Sequence, residues 1–79
     1  MDNTLLVSKR LDFPHLMRIA EGMSYKHNTV VIKARGKQIQ RAVEVAVMLQ
    51  QRGRGVIRST MYGSDDEVYI PSIAICITV

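Results

Sequence analysis

The segment that most constrains the fold covers residues 29–54 of this 79-residue chain. It begins with a β-branched run at residues 30–32, passes through the basic turn KARGK at residues 33–37, and continues into a helix of about four turns. Backbone N–H groups and basic side chains therefore meet where the strand ends and the helix begins. Such a point is suited to holding a phosphate, although an ordinary turn with solvated charges would contain the same residues.

Shorter patterns on either side predict the other elements. Residues 4–8 are an apolar run of strand length, and Asp12 is a suitable N-cap for the amphipathic helix that follows it. Residues 56–62 are the third strand, and the final strand, which ends at Val79, alternates between two faces. A right-handed crossover places both helices on one face of the sheet. We predict a single domain over residues 1–79, an α/β (α+β) two-layer sandwich with the order β-α-β-α-β-β and a mixed four-stranded sheet.

The second helix is apolar over much of its surface. On a helical wheel, its buried side consists of Ile39, Ala42, Val43, Ala46 and Leu49. Its opposite side consists of Lys37, Arg41, Glu44, Met48 and Arg52, with Val45 and Val47 on the flanks. Met48 is thus an apolar residue among charges, and a chain this short gains stability from a second copy. We predict that Met48 and Val45 belong to a contact between subunits.

The charge is unevenly distributed along the chain. Residues 1–64 hold all 11 Lys and Arg against 4 acidic residues, a net charge of +7, whereas residues 65–79 carry −3. The three late acids are Asp65, Asp66 and Glu67, and they lie at the predicted hairpin turn. A basic body with an acidic tip indicates an anionic partner for the body. A net charge of +4 that merely keeps a small domain soluble would explain the composition equally well.

Several classes of protein do not fit this sequence. The single cysteine, Cys76, provides neither a disulfide framework nor a cysteine-based metal site. The apolar runs are far shorter than the roughly 18 residues of a membrane span, and the polar start is not typical of a signal peptide. No residues are patterned as a nucleophile, a base and an oxyanion site. We expect a cytoplasmic protein that is not an enzyme and that needs no cofactor, metal or small-molecule substrate.

Two basic loops should meet at one edge of the sheet. Lys9 and Arg10 follow the first strand, and Lys33, Arg35 and Lys37 follow the second. The ends of parallel neighbouring strands are adjacent, so the two loops should combine five positive charges next to two helix N-termini, which also favour anions. Loop cations position a phosphate backbone without reading its sequence. The cluster therefore fits salt-dependent phosphate contact better than base reading, although solvated charges around a turn glycine would explain the same residues equally well.

The central motif resembles the signature of the Alba family of small archaeal chromatin and RNA-binding proteins. Residues 31–37 (VIKARGK), followed by Ile39 and by residues 41–44 (RAVE), match the family pattern I-I-K-A-R-G-(R/K)-x-I-x-K-A-V-D. Residues 8–10 (SKR) stand where the family has G-K-K, and residues 72–75 (SIAI) stand where its last strand reads S-(T/S)-I-E-I. The alignment needs no gap from residue 9 to residue 52.

The resemblance implies a homodimer that binds double-stranded DNA, RNA or both, associated with the chromosome in the nucleoid. In the family, the dimer body supplies basic loops and each subunit extends a β-hairpin arm along the duplex. Carried over position by position, the nucleic-acid-binding residues are Lys9, Arg10, Lys33, Arg35, Lys37, Arg41 and Arg52. Tyr25, Tyr62 and Tyr69 are candidates for stacking on RNA bases, and packing in the core or a dimer would account for them equally well.

The departures from the family pattern shift the expected binding towards the body. Leu11 replaces the family's proline after the basic pair, and Gly53 replaces the aromatic residue that packs dimers side by side. The arm is shorter, and its acidic tip would repel a phosphate backbone. Two alternatives stay open: a ribonucleoprotein component that sits on structured RNA, and a protein-interaction module whose basic edge meets an acidic protein.

Overall fold

The structure is a computed structural model that describes residues 3–64 and 70–79. Its elements, in chain order, are β1 (Thr4–Leu6), α1 (Phe13–Lys26), β2 (Thr29–Arg35), a 3-10 turn (Gly36–Gln38), α2 (Ile39–Gln51), β3 (Val56–Ser64) and β4 (Pro71–Thr78). The predicted order of strands and helices is confirmed. The acidic tip, Asp65, Asp66 and Glu67, lies outside the described residues, and so does Tyr69.

Helix α1 begins where its sequence predicts. The side chain of Asp12 accepts a hydrogen bond from the backbone N–H of His15 at 3.0 Å, which satisfies one of the N–H groups that a helix start leaves unpaired. Pro14 fits the first turn, where it removes no helical hydrogen bond. Leu16 and Ala20 are fully buried one turn apart and attach the helix to the sheet.

The sheet has the strand order β1-β2-β4-β3. β1 and β2 are parallel, and β4 pairs antiparallel with both β2 and β3. Along β2 and β4 every second side chain is buried, and these buried side chains face the helices. The predicted mixed sheet with two helices on one face is confirmed. We call the two faces of the sheet the helix side and the helix-free side.

The buried face of α2 differs from the predicted one. Its buried residues are Ala42, Val45, Ala46 and Leu49. Val43, which was predicted to be buried, is 37% exposed, whereas Val45, which was predicted on a flank, is fully buried. The prediction was wrong because most positions from 42 to 49 are apolar, so two neighbouring orientations of the wheel fit the sequence almost equally well.

A close contact between backbone and side chain follows the end of α2. Gly53 has φ +72°, the left-handed conformation that ends helices and that glycine adopts without a steric penalty. A Cβ on Gly55 would lie 2.5 Å from Cγ2 of Ile77 and 3.3 Å from the carbonyl oxygen of Thr78. The chain therefore needs glycine at residue 55 so that β3 can pack closely against β4.

Candidate nucleic-acid interface

The two predicted basic loops leave the same edge of the sheet. β1 and β2 lie side by side and parallel, and the backbone N–H of Val7 donates to the carbonyl oxygen of Lys33 at 2.9 Å. The loop after β1 turns tightly, because the N–H of Leu11 donates to the carbonyl oxygen of Ser8 at 3.1 Å. Lys9 and Arg10 are exposed within that turn. We call the five cations of these two loops the basic rim: Lys9, Arg10, Lys33, Arg35 and Lys37.

The second half of the basic rim is placed by strand alternation. Ala34 is buried on the helix side, so Lys33 and Arg35 lie on the helix-free side, and both are exposed. Gly36 has φ +61° and turns the chain from β2 into the 3-10 turn, which contains the exposed Lys37. Unlike α1, neither this turn nor α2 has a side-chain hydrogen bond at its N-cap, within the part of the chain that the structure describes. The start of this segment is therefore a position that an external anion would favour.

Arg41 attaches the loop after β1 to the start of α2. Its Nη1 donates to the carbonyl oxygen of Ser8 at 3.0 Å and to Oε1 of Gln38 at 2.8 Å. Its Nη2 donates to the carbonyl oxygen of Leu11. One half-buried guanidinium thus holds both ends of the 8–11 loop against the start of α2. The family resemblance implied that Arg41 is a phosphate contact, whereas in the structure its donors fix the loop that presents Lys9 and Arg10.

Arg52 lies away from the basic rim. It follows α2, whose 13 residues extend about 20 Å from its start. Its Nη1 forms an ion pair with Oε1 of Glu21 on α1. Nearby, Nε of Arg54 donates to Oγ of Ser24 at 3.3 Å, and the guanidinium stands 3.8 Å above the ring centroid of Tyr25. Both arginines therefore connect the end of α2 to α1, and the structure does not bring Arg52 together with the other predicted contacts.

The predicted subunit contact needs a correction. Val45 is fully buried in the core of its own chain, so its side chain cannot reach a second subunit. Met48 is half-buried and lines a shallow groove of about 400 Å³ together with Phe13, Val43 and Val47. Val43 and Val47 are 37% and 39% exposed and lie one turn apart on α2. The apolar surface of α2 is therefore displaced by about one position from the predicted one.

The hairpin contributes two exposed residues whose placement sequence reasoning missed. Arg58 lies in β3 at a register irregularity between Ile57 and Ser59, and its side chain is exposed. Tyr62 is 76% exposed and pairs with Ile73, which places it on the helix side, beyond the core. Arg58 could have been noticed in the sequence because it is the charged residue of an otherwise uncharged strand. The irregularity itself leaves no mark in the sequence.

Within residues 3–64 and 70–79, no group of three or more His, Cys, Asp or Glu side chains could hold a metal ion. In the same ranges, neither α1 nor α2 is long and apolar enough to cross a membrane.

Two solved structures share this fold. The chain is similar to ALBA1 from Trypanosoma brucei, with a TM-score of 0.84, 23% identity, and coverage of 96% of this chain and 68% of that one. It is equally similar to Alba from Thermoplasma volcanium, with a TM-score of 0.84, 21% identity, and coverage of 96% of this chain and 99% of that one. At these identities the likeness establishes the fold.

The sequence itself matches a family model. The model named Alba matches residues 3–64, which contain β1, both helices, the basic rim and β3. The match covers well over half of the chain and includes both loops of the basic rim. The chain therefore belongs to the Alba family, whose members are generally nucleic-acid-binding proteins.

Proposed function

We propose that this protein binds the phosphate backbone of nucleic acids as a homodimer, without strong sequence preference, and that it coats duplex DNA as a chromosomal protein. The observation that carries the proposal is the basic rim: two parallel strands bring Lys9, Arg10, Lys33, Arg35 and Lys37 to one edge of the sheet. The uncapped start of the 3-10 turn and α2 lies at the same edge and favours an anion.

Backbone contact fits this site better than base readout. Lysine is a point charge on a flexible stem, and it contacts phosphate without reporting which base lies nearby. The basic rim follows strand ends and does not lie along the face of a helix that could enter a major groove. Its contribution to binding comes from counterion release, so the affinity should fall steeply with salt. RNA offers the same phosphate chemistry, so structured RNA is a second substrate of the same site.

A dimer doubles the basic rim. The exposed valines of α2, Val43 and Val47, together with Phe13 and Met48, form an apolar patch that a second copy would cover. Two linked rims on one duplex reinforce each other, because the second contact becomes intramolecular. This dimer places the subunit contact on α2 and leaves both basic rims open.

Salt-titrated binding tests the proposal. The affinity for a duplex DNA and for a folded RNA of equal length is measured over a series of salt concentrations. Each rim phosphate contact should contribute about 0.9 to the DNA slope and about 0.7 to the slope for a single strand. Lys26→Glu is the matched control for Lys9→Glu, because Lys26 is also an exposed lysine but lies at the far end of α1. Absence of binding to either nucleic acid at low salt would refute the proposal.

A further inference from the structure

The helix-free side of the sheet is an uncovered surface with an ordered arrangement of side chains. One row across the four strands consists of Leu6, Lys33, Ala74 and Met61. The next row consists of Thr4, Val31, Cys76 and Ser59. The two ends of the first row are the most exposed, since Leu6 is 66% and Met61 70% exposed. In the first row, two large apolar side chains on the edge strands therefore stand on either side of Lys33 and Ala74, and the second row consists of smaller side chains.

This arrangement makes a groove of about 1080 Å³. Its walls are Leu6 and Met61, and its floor contains Val31, Ala74 and Cys76. The walls stand on the outer strands of a four-stranded sheet, three strand spacings or about 14 Å apart. An α-helix with its side chains is about 10–12 Å wide, so one helix fits between the walls. Along β2 the lining residues run from Val31 to Arg35, which is about 13 Å, the length of about nine helical residues.

Among the described residues that line the groove, the charged ones are all basic. Lys33 stands in the first row between Leu6 and Ala74, and Lys9 and Arg35 line the same groove. Lys33 and Lys9 are exposed. A partner segment that covers this floor should therefore present an apolar stripe and carry acidic residues opposite Lys33 and Lys9, because opposite charges favour association.

We propose that this groove binds an amphipathic, acidic α-helix of another protein. The helix would lie on the helix-free side with its apolar stripe between Leu6 and Met61, and its carboxylates would contact Lys33 and Lys9. It would convert the two-layer sandwich into three layers, the arrangement in which sheets bury both faces. The proposal goes beyond the proposed nucleic-acid contact, although the two share Lys33 and Lys9, so helix and nucleic acid should compete.

Other occupants fit the groove less well. A second copy bound through the same face would bring two sets of Lys33 and Lys9 together, and their like charges would repel. Unpaired bases are held mainly by stacking on aromatic rings, and among the described residues that line the groove only Tyr62 is aromatic, outside both rows. A duplex can reach the cations at one end of the groove, but its polar backbone gains nothing from an apolar floor.

The single cysteine of the chain provides a direct reporter. Cys76 is half-buried on the groove floor, so a bound helix should slow its alkylation. The probe is a synthetic peptide of about 14 residues with leucines at helical spacing and glutamates on both sides of the leucine stripe. One control peptide has the same composition in scrambled order, and another has lysine in place of glutamate. Only the first peptide should protect Cys76, and added salt should weaken that protection.

Paired variants locate the binding. Met61→Glu should lower the affinity for the acidic peptide about tenfold or more. It removes the burial of a large apolar side chain and adds a negative charge that repels the glutamates of the peptide. Thr60→Glu is the matched control, since Thr60 is exposed on the adjacent position but faces the helix side. Leu6→Glu tests the opposite wall independently. Thermal unfolding of each variant shows that the domain stays folded.

The outcomes are distinct. Protection of Cys76 by the acidic peptide that is lost in Met61→Glu and Leu6→Glu, and retained in Thr60→Glu, supports the proposal. The proposal is overturned if the peptide does not protect Cys76, or if the protection is unchanged in both Met61→Glu and Leu6→Glu. Stronger protection by a single-stranded oligonucleotide than by the peptide overturns it in favour of unpaired bases. The result is separate from the proposed function, because duplex binding is measured without the peptide and does not depend on Met61.

Discussion

Two segments of this chain combine basic residues with glycine, and the structure uses them in different ways. Residues 33–37 (KARGK) present exposed cations at the end of β2. Residues 52–55 (RGRG) direct their arginines towards α1, where Arg52 pairs with Glu21 and Arg54 contacts Ser24 and Tyr25. The first segment faces a loop that carries two further cations, whereas the second faces acceptors and an aromatic ring. The role of a basic motif thus depends on what the fold places opposite it.

The largest expected effect is on the first segment. The double reversal Lys9→Glu/Lys33→Glu removes two rim contacts and adds repulsion, so the affinity for duplex DNA should fall about 100-fold, or about 1.4 kcal/mol for each position. The slope of log affinity against log salt should decrease by about 1.8 for each subunit that contacts the duplex. Fluorescence anisotropy over a salt series measures both quantities. Equal loss in Lys26→Glu would show that net charge, and not the basic rim, controls binding.

Replacing Arg41 tests the connection behind the basic rim. Arg41→Met leaves the carbonyl oxygens of Ser8 and Leu11 without their charged donor, so the free energy of unfolding should fall by about 2–3 kcal/mol. Arg41→Lys keeps the charge but not the forked donors, so it should recover only part of this loss. Urea unfolding measures the effect, and Arg18→Met, at an exposed position of α1, is the control. Full stability of Arg41→Lys with a salt slope reduced only in Arg41→Met would identify Arg41 as a phosphate contact.

The glycines of the two segments should also differ. A methyl group on residue 55 would lie 2.5 Å from Ile77 Cγ2, so Gly55→Ala should destabilise the domain by about 1–3 kcal/mol. Gly36→Ala meets Ile70 Cγ2 only at 3.5 Å and is opposed chiefly by φ +61°, an effect of about 1 kcal/mol. Thermal unfolding of both variants compares them directly. A larger loss in Gly36→Ala would contradict this account of the close contact at Gly55.

The smallest effect is expected for Arg52. Its ion pair with Glu21 is only half-buried, so solvent screens it and Arg52→Gln should lower stability by less than about 1 kcal/mol. Because Arg52 lies at the end of α2 remote from the basic rim, the salt slope for DNA should not change. Anisotropy at two salt concentrations is sufficient for this test. A slope that falls by about 0.9 would make Arg52 a phosphate contact, as the family resemblance implies.

Local sequence patterns predicted the parts of the fold that depend on short-range physics. Asp12 could be predicted as an N-cap because its side chain accepts a hydrogen bond from a backbone N–H only three residues later. The alternation in β4 reads directly as one buried and one open face. Adjacency of the two basic loops followed from strand order, since β1 and β2 are parallel neighbours.

The remaining features depend on partners distant in sequence. The sequence could not decide which of Val43 and Val45 is buried, because the apolar stripe of α2 is wide. The hydrogen bonds of Arg41 span 30 and 33 residues, and no spacing rule indicates them. The groove on the helix-free side combines residues from four strands, so its walls could be recognised only once the register was known.

The position of β3 has a consequence for how the domain opens. β3 is an outer strand, and only Ile57 within it is even half-buried. β4, its partner, is held independently by β2 on its other side. Detachment of β3 would therefore leave a three-stranded sheet with both helices and nearly all of the core intact, so its opening free energy should be smaller than that of the whole domain. We expect the described part of the chain to behave as a cooperative unit of three strands and two helices, bordered by an edge strand that opens at a lower free energy.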